Sequence, residues 1–206
     1  MEARYYIVGY RPLVHTVQGR KAVERFGRPP YADYSCRSEP SLEHVHPAVT
    51  ALCRGRMFAP RLLVGDTLAY VTSKSKPEYS YRLSAVLRVI HRFETHKTAA
   101  DWYRSRGMSL PPNIMEYNNP ALPVEQTSGI PSNVKPRTAK VWDYAYRLRA
   151  RANAVVSVTY PLYVNLTDPP YALEAAPMKL NPPAVPREQF EAILMAAGVS
   201  PDVIWN

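Results

Sequence analysis

Proline occupies 21 of the 206 positions, and no other residue type limits the fold as much. Each one lacks an amide donor and biases its predecessor away from helical geometry, so regular elements must fit into the gaps between prolines. Ala3 to Tyr10 is such a gap. Its packed Tyr5, Tyr6, Ile7 and Val8 predict a strand that Pro12 ends. Residues 11 to 37 show weak periodicity and predict a long basic loop with one short helix around Arg20 to Phe26. Pro47 suits a first helical position, with Val49, Leu52 and Cys53 on one face and Gly55 as the stop.

Gly65-Asp66 is a turn signal leading into a strand over Thr67 to Thr72. Tyr81 to Ile90 carries the clearest alternation, with Leu83, Ala85, Leu87 and Val89 facing one way. Thr95 predicts the N-cap of a helix to Arg106, with Ala99, Trp102 and Tyr103 inward and Gly107 as its stop. Ser109 to Pro136, rich in Pro, Asn, Ser and Gly, is a long excursion. Lys140 to Ala152 predicts an amphipathic helix whose apolar stripe is Val141, Tyr144, Ala145, Leu148 and Ala152. A strand over Ala154 to Leu166 follows. Pro186 then opens a last helix that buries Phe190, Ile193, Leu194 and Ala197 and stops at Gly198. Consecutive strands without regular crossovers exclude a doubly wound parallel sheet. The expected class is α+β, one domain over 1–206, with a curled, mostly antiparallel sheet and helices at its margins.

The charge balance narrows the function classes. Lys and Arg number 26 against 17 Asp and Glu, a formal charge of +9, which attracts polyanions, nucleic acid foremost. Fifteen tyrosines supply flat amphipathic rings for a core or a binding surface. Two cysteines make no disulfide framework. The first residues lack the order of a signal peptide, and no apolar run reaches the ~20 residues a bilayer needs, so a reduced cytoplasmic protein is expected.

Three segments carry a resemblance. Leu63-Val64-Gly65-Asp66, then Leu68 to Ser73, then Tyr81 to Val89, together resemble the centre of the PUA-like superfamily, especially EVE and YTH-like domains. Tyr34-Ser35-Cys36-Arg37-Ser38-Glu39-Pro40 is similar to an element of the nucleotide modification associated domains, the nearest relatives in that group. The similarity covers roughly 1–108, lacks the early Trp-containing segment of EVE domains, and leaves 109–206 unmatched. It implies a β-barrel-like sheet with a pocket for a flipped or modified base, in a protein accompanying DNA or RNA modification or restriction.

A base pocket needs ring faces, polar groups for the base edge and cations for the backbone. On the matched segments the candidates are Tyr10, Tyr34, Ser35, Cys36, Arg37, Tyr70, Thr72, Ser73, Lys74, Tyr81 and Arg82, with Tyr34 and Tyr70 foremost. Phosphate contacts are assigned to Arg11, Arg20 and Lys21 in the basic loop and to Lys140, Arg147 and Arg151 in the basic run from Lys135. Cys36, His44, His46 and Cys53 have zinc-ligand chemistry but not the paired spacing of a zinc knuckle, so no metal and no cofactor are expected. No nucleophile elbow, phosphate-cradling glycine loop or His-Glu-x-x-His motif is present. The expected partner is nucleic acid, DNA favoured over RNA. Two alternatives stand beside it: an amidohydrolase-like enzyme on modified nucleosides using Lys74, Glu78 and Thr72, and a basic subunit binding a modification or restriction protein.

Overall fold

The computed structural model describes residues 3–52, 58–74, 80–129, 139–172 and 181–204. The predicted first strand is β1 (Tyr5–Tyr10), and the basic loop holds α1 (Val17–Phe26). Thr16 caps α1 by accepting from the Gly19 amide, and Gly27 ends it in the left-handed region at φ 65°. The segment after Pro47 is a strand, β2 (Ala48–Thr50), not the expected helix. Val49 lies opposite Ser157 in an antiparallel ladder, a partner no local signal reveals. Cys53 and Gly55 lie outside the described residues.

The Gly65-Asp66 corner leads into β3 (Thr67–Thr72), then β4 (Leu83–Phe93) and α2 (His96–Ser105), capped by the Thr95 side chain as expected. The buried Asp66 carboxylate accepts from the Leu63 amide at 2.8 Å and from Arg4 Nη2 at 2.7 Å. Then come α3 (Ala139–Ala152), β5 (Val156–Val164), β6 (Ala184–Val185) and α4 (Arg187–Ala196).

The fold is α+β, and the described residues form four helices and a six-stranded mixed sheet in the order β2-β5-β4-β3-β1-β6. Among the described strands only β1 and β3 pair in parallel, and residues 11–66 make the crossover between them. Among the described residues the sheet is not closed into the expected barrel. Its edges are the three-residue β2 and the two-residue β6, too short to carry a closing ladder.

One face of the sheet presents Val8, Tyr10, Tyr70, Ala85, Leu87 and Val89 to Tyr31, Leu42, Phe58, Leu62 and Leu166. The opposite face presents Ile7, Ala69, Val71 and Val86 to Phe190, Ile193 and Leu194 of α4. On that second face, nearer β2, Ala48, Val156 and Val158 pack against Ala99, Ala100 and Tyr103 of α2. Among the described residues no helix is long and apolar enough to cross a membrane.

The expected stripe on α3 does not face the core. Tyr144 and Leu148 are exposed, while Tyr146 and Ala150 bury against Cys36 and Leu52. A buried ion pair sets that rotation: Arg37 draws Asp143 inward, and Tyr146 and Ala150 lie on the same side of the helix. Within residues 109–129, backbone hydrogen bonds tie the excursion to the segment Tyr34–Cys36. Leu122 N donates to Cys36 O at 2.8 Å and Ser128 N to Tyr34 O at 3.0 Å.

Candidate functional site

The carboxyl ends of β1 and β3 meet the amino end of β4, and there the fold gathers most of the sequence candidates. Ser73 N donates to Tyr10 O at 2.8 Å, and Thr72 N to Arg82 O at 2.9 Å. Tyr34 N reaches back to Arg11 O at 3.2 Å. On the outside of this junction, cations lie over rings. Arg11 sits 5.8 Å from the Tyr34 centroid and Lys74 4.6 Å from that of Tyr81. Arg82 lies 4.2 Å from Tyr171 and 5.6 Å from Tyr31, with Asp168 accepting from its Nη1 at 2.9 Å. Tyr171 is 51% exposed, Tyr34 and Tyr81 are half-buried, and Arg11 and Lys74 are exposed. Neither Arg11 nor Lys74 has a carboxylate partner among the described residues, so both charges face solvent.

The inner candidates serve the core instead. Tyr70 is fully buried and Tyr10 is 3% exposed, their rings meeting edge to face at 6.2 Å. The Tyr10 hydroxyl donates to Tyr31 O at 2.6 Å and lies 2.7 Å from Ser84 Oγ. Burial raises its pKa far above the usual phenol range. In this conformation neither ring offers a face to a base, which removes Tyr70 from the pocket expected on it. Thr72 and Ser35 are also buried, Thr72 Oγ1 accepting from Arg82 N at 3.0 Å and Ser35 Oγ donating to Asp33 at 2.6 Å. Ser73 is half-buried, with its Oγ 3.4 Å from His15 Nδ1.

Residues Cys36, Arg37, Ser38 and Glu39 continue a polar loop that is buried throughout. Arg37 spends Nη1 on the carbonyls of Pro112 and Asn119 and the rest of its guanidinium on Asp143. Burial pushes the Cys36 thiol up to about 12, so it carries negligible thiolate at neutral pH. Glu39 accepts from Thr50 N and from Asn113 Nδ2, both at 2.9 Å, yet burial outweighs these bonds and lifts its carboxyl to about 7. Nearby His96 is held neutral, its pKa lowered to about 4 by burial and secondarily by Arg37, with Nδ1 accepting from Met115 N at 3.1 Å. This loop is scaffold for the junction and offers no activated nucleophile.

The phosphate candidates fall on two sides of one ridge. Lys21 and Arg25 on α1 line an open groove of about 630 Å³ whose other wall includes Val124 and Glu125. Arg147 and Asp143 on α3 line another of about 630 Å³, again with Val124. Arg20, Lys21 and Arg151 are exposed. Arg147 is less available, because its Nε donates to Asp143 at 2.9 Å. The side chain of Lys140 lies outside the described residues, as do Lys135 and Arg137.

Two of the zinc-type residues have their ring nitrogens engaged by the fold. His44 Nε2 donates to Ser109 O at 2.9 Å while its Nδ1 accepts from His46 N at 3.1 Å. His46 Nδ1 lies 3.2 Å from Thr159 O. Among the described residues no group of three or more His, Cys, Asp and Glu could hold a metal. Of the hydrolase candidates, Thr72 is buried, Lys74 stands over Tyr81, and Glu78 lies outside the described residues.

Sequence reasoning missed Tyr171. It follows Pro169-Pro170 in a stretch without periodicity, and only the isolated bridge between Arg82 and Tyr171 brings it to the junction. Set against protein-family models, curated proteins and solved structures, the chain matches none.

Proposed function

We propose that this chain binds nucleic acid along the junction at the carboxyl ends of β1 and β3. The observation that carries the reading is the set of ring–cation contacts there: Arg11 on Tyr34, Lys74 on Tyr81, and Arg82 on Tyr31 and Tyr171. Cations attract and hold the backbone, and adjacent rings give an unstacked base a face. The strip continues into Arg20 and Lys21, because the 3-10 turn Leu13–His15 that precedes α1 abuts Ser73. The net charge of +9 supplies the long-range attraction.

The resemblance of residues 34–40, 63–73 and 81–89 to PUA-like and nucleotide modification associated domains supports recognition of a flipped or modified base, in an open sheet rather than a barrel. With Tyr10 and Tyr70 in the core, the base contacts fall to Tyr34, Tyr81 and Tyr171.

The test is binding of plain and modified oligonucleotides, DNA and RNA, by fluorescence anisotropy across a salt series. Arg11→Ala and Lys74→Ala are each expected to reduce the slope of log affinity against log salt by about one. Absent or salt-insensitive binding overturns the proposal.

A further inference from the structure

On the sheet face that carries α2 and α4, away from the junction, a chain of rings runs from the end of β4 to the middle of β5. Phe93 and His91 approach Trp102 at 6.3 and 5.0 Å between centroids. Trp102 meets His46 at 5.6 Å, and His46 meets Tyr160 at 6.0 Å. Packing accounts for the inner members, since Phe93 and Trp102 lie against Ala99, Ala100 and Val158. It does not account for Tyr160, which is 52% exposed. Nor does it account for His91, half-buried, whose ring contacts are with Phe93 and Trp102. His46 Nδ1 lies 3.2 Å from Thr159 O, which holds that ring next to Tyr160.

Two guanidiniums flank these rings. Arg88 lies directly opposite Tyr160 in the β4–β5 ladder, so both project from one face, and its Nη2 donates to Ile204 O. Arg106 stands 4.2 Å from the Trp102 centroid, with its Nη1 3.4 Å from Trp102 O. Neither has a carboxylate partner among the described residues. The nearby acids are engaged elsewhere: Glu94 with Arg92, Asp101 with Lys97 and Arg104. An exposed ring beside Arg88, in a row of rings that ends at Trp102 and Arg106, matches a strand that offers bases and phosphates alternately.

We propose that Tyr160, His46 and His91 form a second contact surface that stacks unpaired bases of a single-stranded nucleic acid, with Arg88 and Arg106 on its phosphates. The proposal rests on the nucleic-acid reading but uses a separate surface. Arg82 at the junction immediately precedes β4, and His91 on the platform lies nine residues further on, about 30 Å of extended chain.

The experiment uses the full chain and fluorescein-labelled strands of about 12 nucleotides, within the span a single-strand-binding fold covers. Three probes are compared: thymidine, an abasic strand of equal charge, and the matching duplex. Tyr160→Ala is expected to weaken thymidine-strand binding about tenfold, the range for losing one stacked base, and to leave the abasic strand and the duplex unchanged. Tyr160→Phe keeps the ring and is expected to bind as the parent does. A strand carrying 4-thiothymidine is expected to crosslink to peptides containing Tyr160 or His91.

If Tyr160→Ala and His91→Ala bind the thymidine strand like the parent while Arg11→Ala weakens it, the platform is overturned and the junction reading stands. Equal losses on all three probes also overturn the platform. If the parent chain binds no probe, both readings fall.

Discussion

Arg37 and Asp143 lie 106 residues apart and meet inside the molecule, the guanidinium Nε donating to the carboxylate at 2.8 Å. The arginine side chain has no exposure, and the aspartate side chain retains 23%. Since Arg37 also holds the carbonyls of Pro112 and Asn119, one side chain fastens the buried polar loop to both the proline-rich excursion and α3.

Removing the acid leaves that cation buried with carbonyl acceptors alone. Asp143→Ala is therefore expected to cost about 3–5 kcal/mol, the range for breaking a buried pair from one side. Urea unfolding followed by circular dichroism measures it, and a loss below about 1 kcal/mol would show that the clamp contributes little.

Two buried groups give opposite pH dependences. Glu39, raised to about 7, binds its proton more tightly in the folded chain, so its contribution is full below the ordinary 4.5 and is lost as pH climbs through about 7. His96, lowered to about 4, contributes fully above the ordinary 6.5 and loses that contribution as pH falls through about 4. Each window is worth about 3 kcal/mol, and the two offset where they overlap. Glu39→Gln should expose a rise in stability between about pH 4 and 6.5, and His96→Gln a fall between about pH 4.5 and 7. Unfolding free energies of the three proteins across pH check this. Parallel profiles would contradict both assignments.

Tyr10→Phe separates scaffold from surface. The change deletes a buried hydroxyl that donates to Tyr31 O and lies 2.7 Å from Ser84 Oγ, and should cost about 1–3 kcal/mol. Nucleic-acid affinity should stay at the parent level, whereas Tyr34→Ala should lower it. An affinity loss in Tyr10→Phe at temperatures where the fold is intact would return that ring to the site.

Gly19 is required by close approach. A Cβ there would lie 2.1 Å from Leu13 O and 2.6 Å from Thr16 Oγ1, the atom that caps α1. Gly19→Ala normally favours a helix by up to about 1 kcal/mol, but here it is expected to destabilise by about 1–3 kcal/mol. Thermal unfolding decides the sign, and a stabilised variant would mean that the turn before α1 can move aside.

Local signals gave the limits of α2 and the end of α4. Thr95 caps α2, Gly107 turns the chain at its end with φ 67°, and Gly198 turns it after α4 with φ 68°. These are readable because a cap acts over three or four residues and positive φ selects glycine wherever it occurs. β2 was not readable, since Ala48–Thr50 is a strand only through its ladder with β5. The α3 stripe misled for a related reason. Periodicity reports that a face is apolar, not whether another segment arrives to cover it, and Arg37 rotated the helix by claiming Asp143.

By itself the amino-acid order determined the helices and longer strands, the α+β class and the excess of positive charge, since these depend on neighbours in the chain or on composition alone. Tertiary structure decided which tyrosines are core and which are surface. Tyr70 and Tyr160 both sit on strands, yet one is enclosed by Phe58, Leu62 and Leu166 and the other is half exposed beside His46. Burial of a ring is set by segments distant along the chain, and no local pattern records which of them fold back over it.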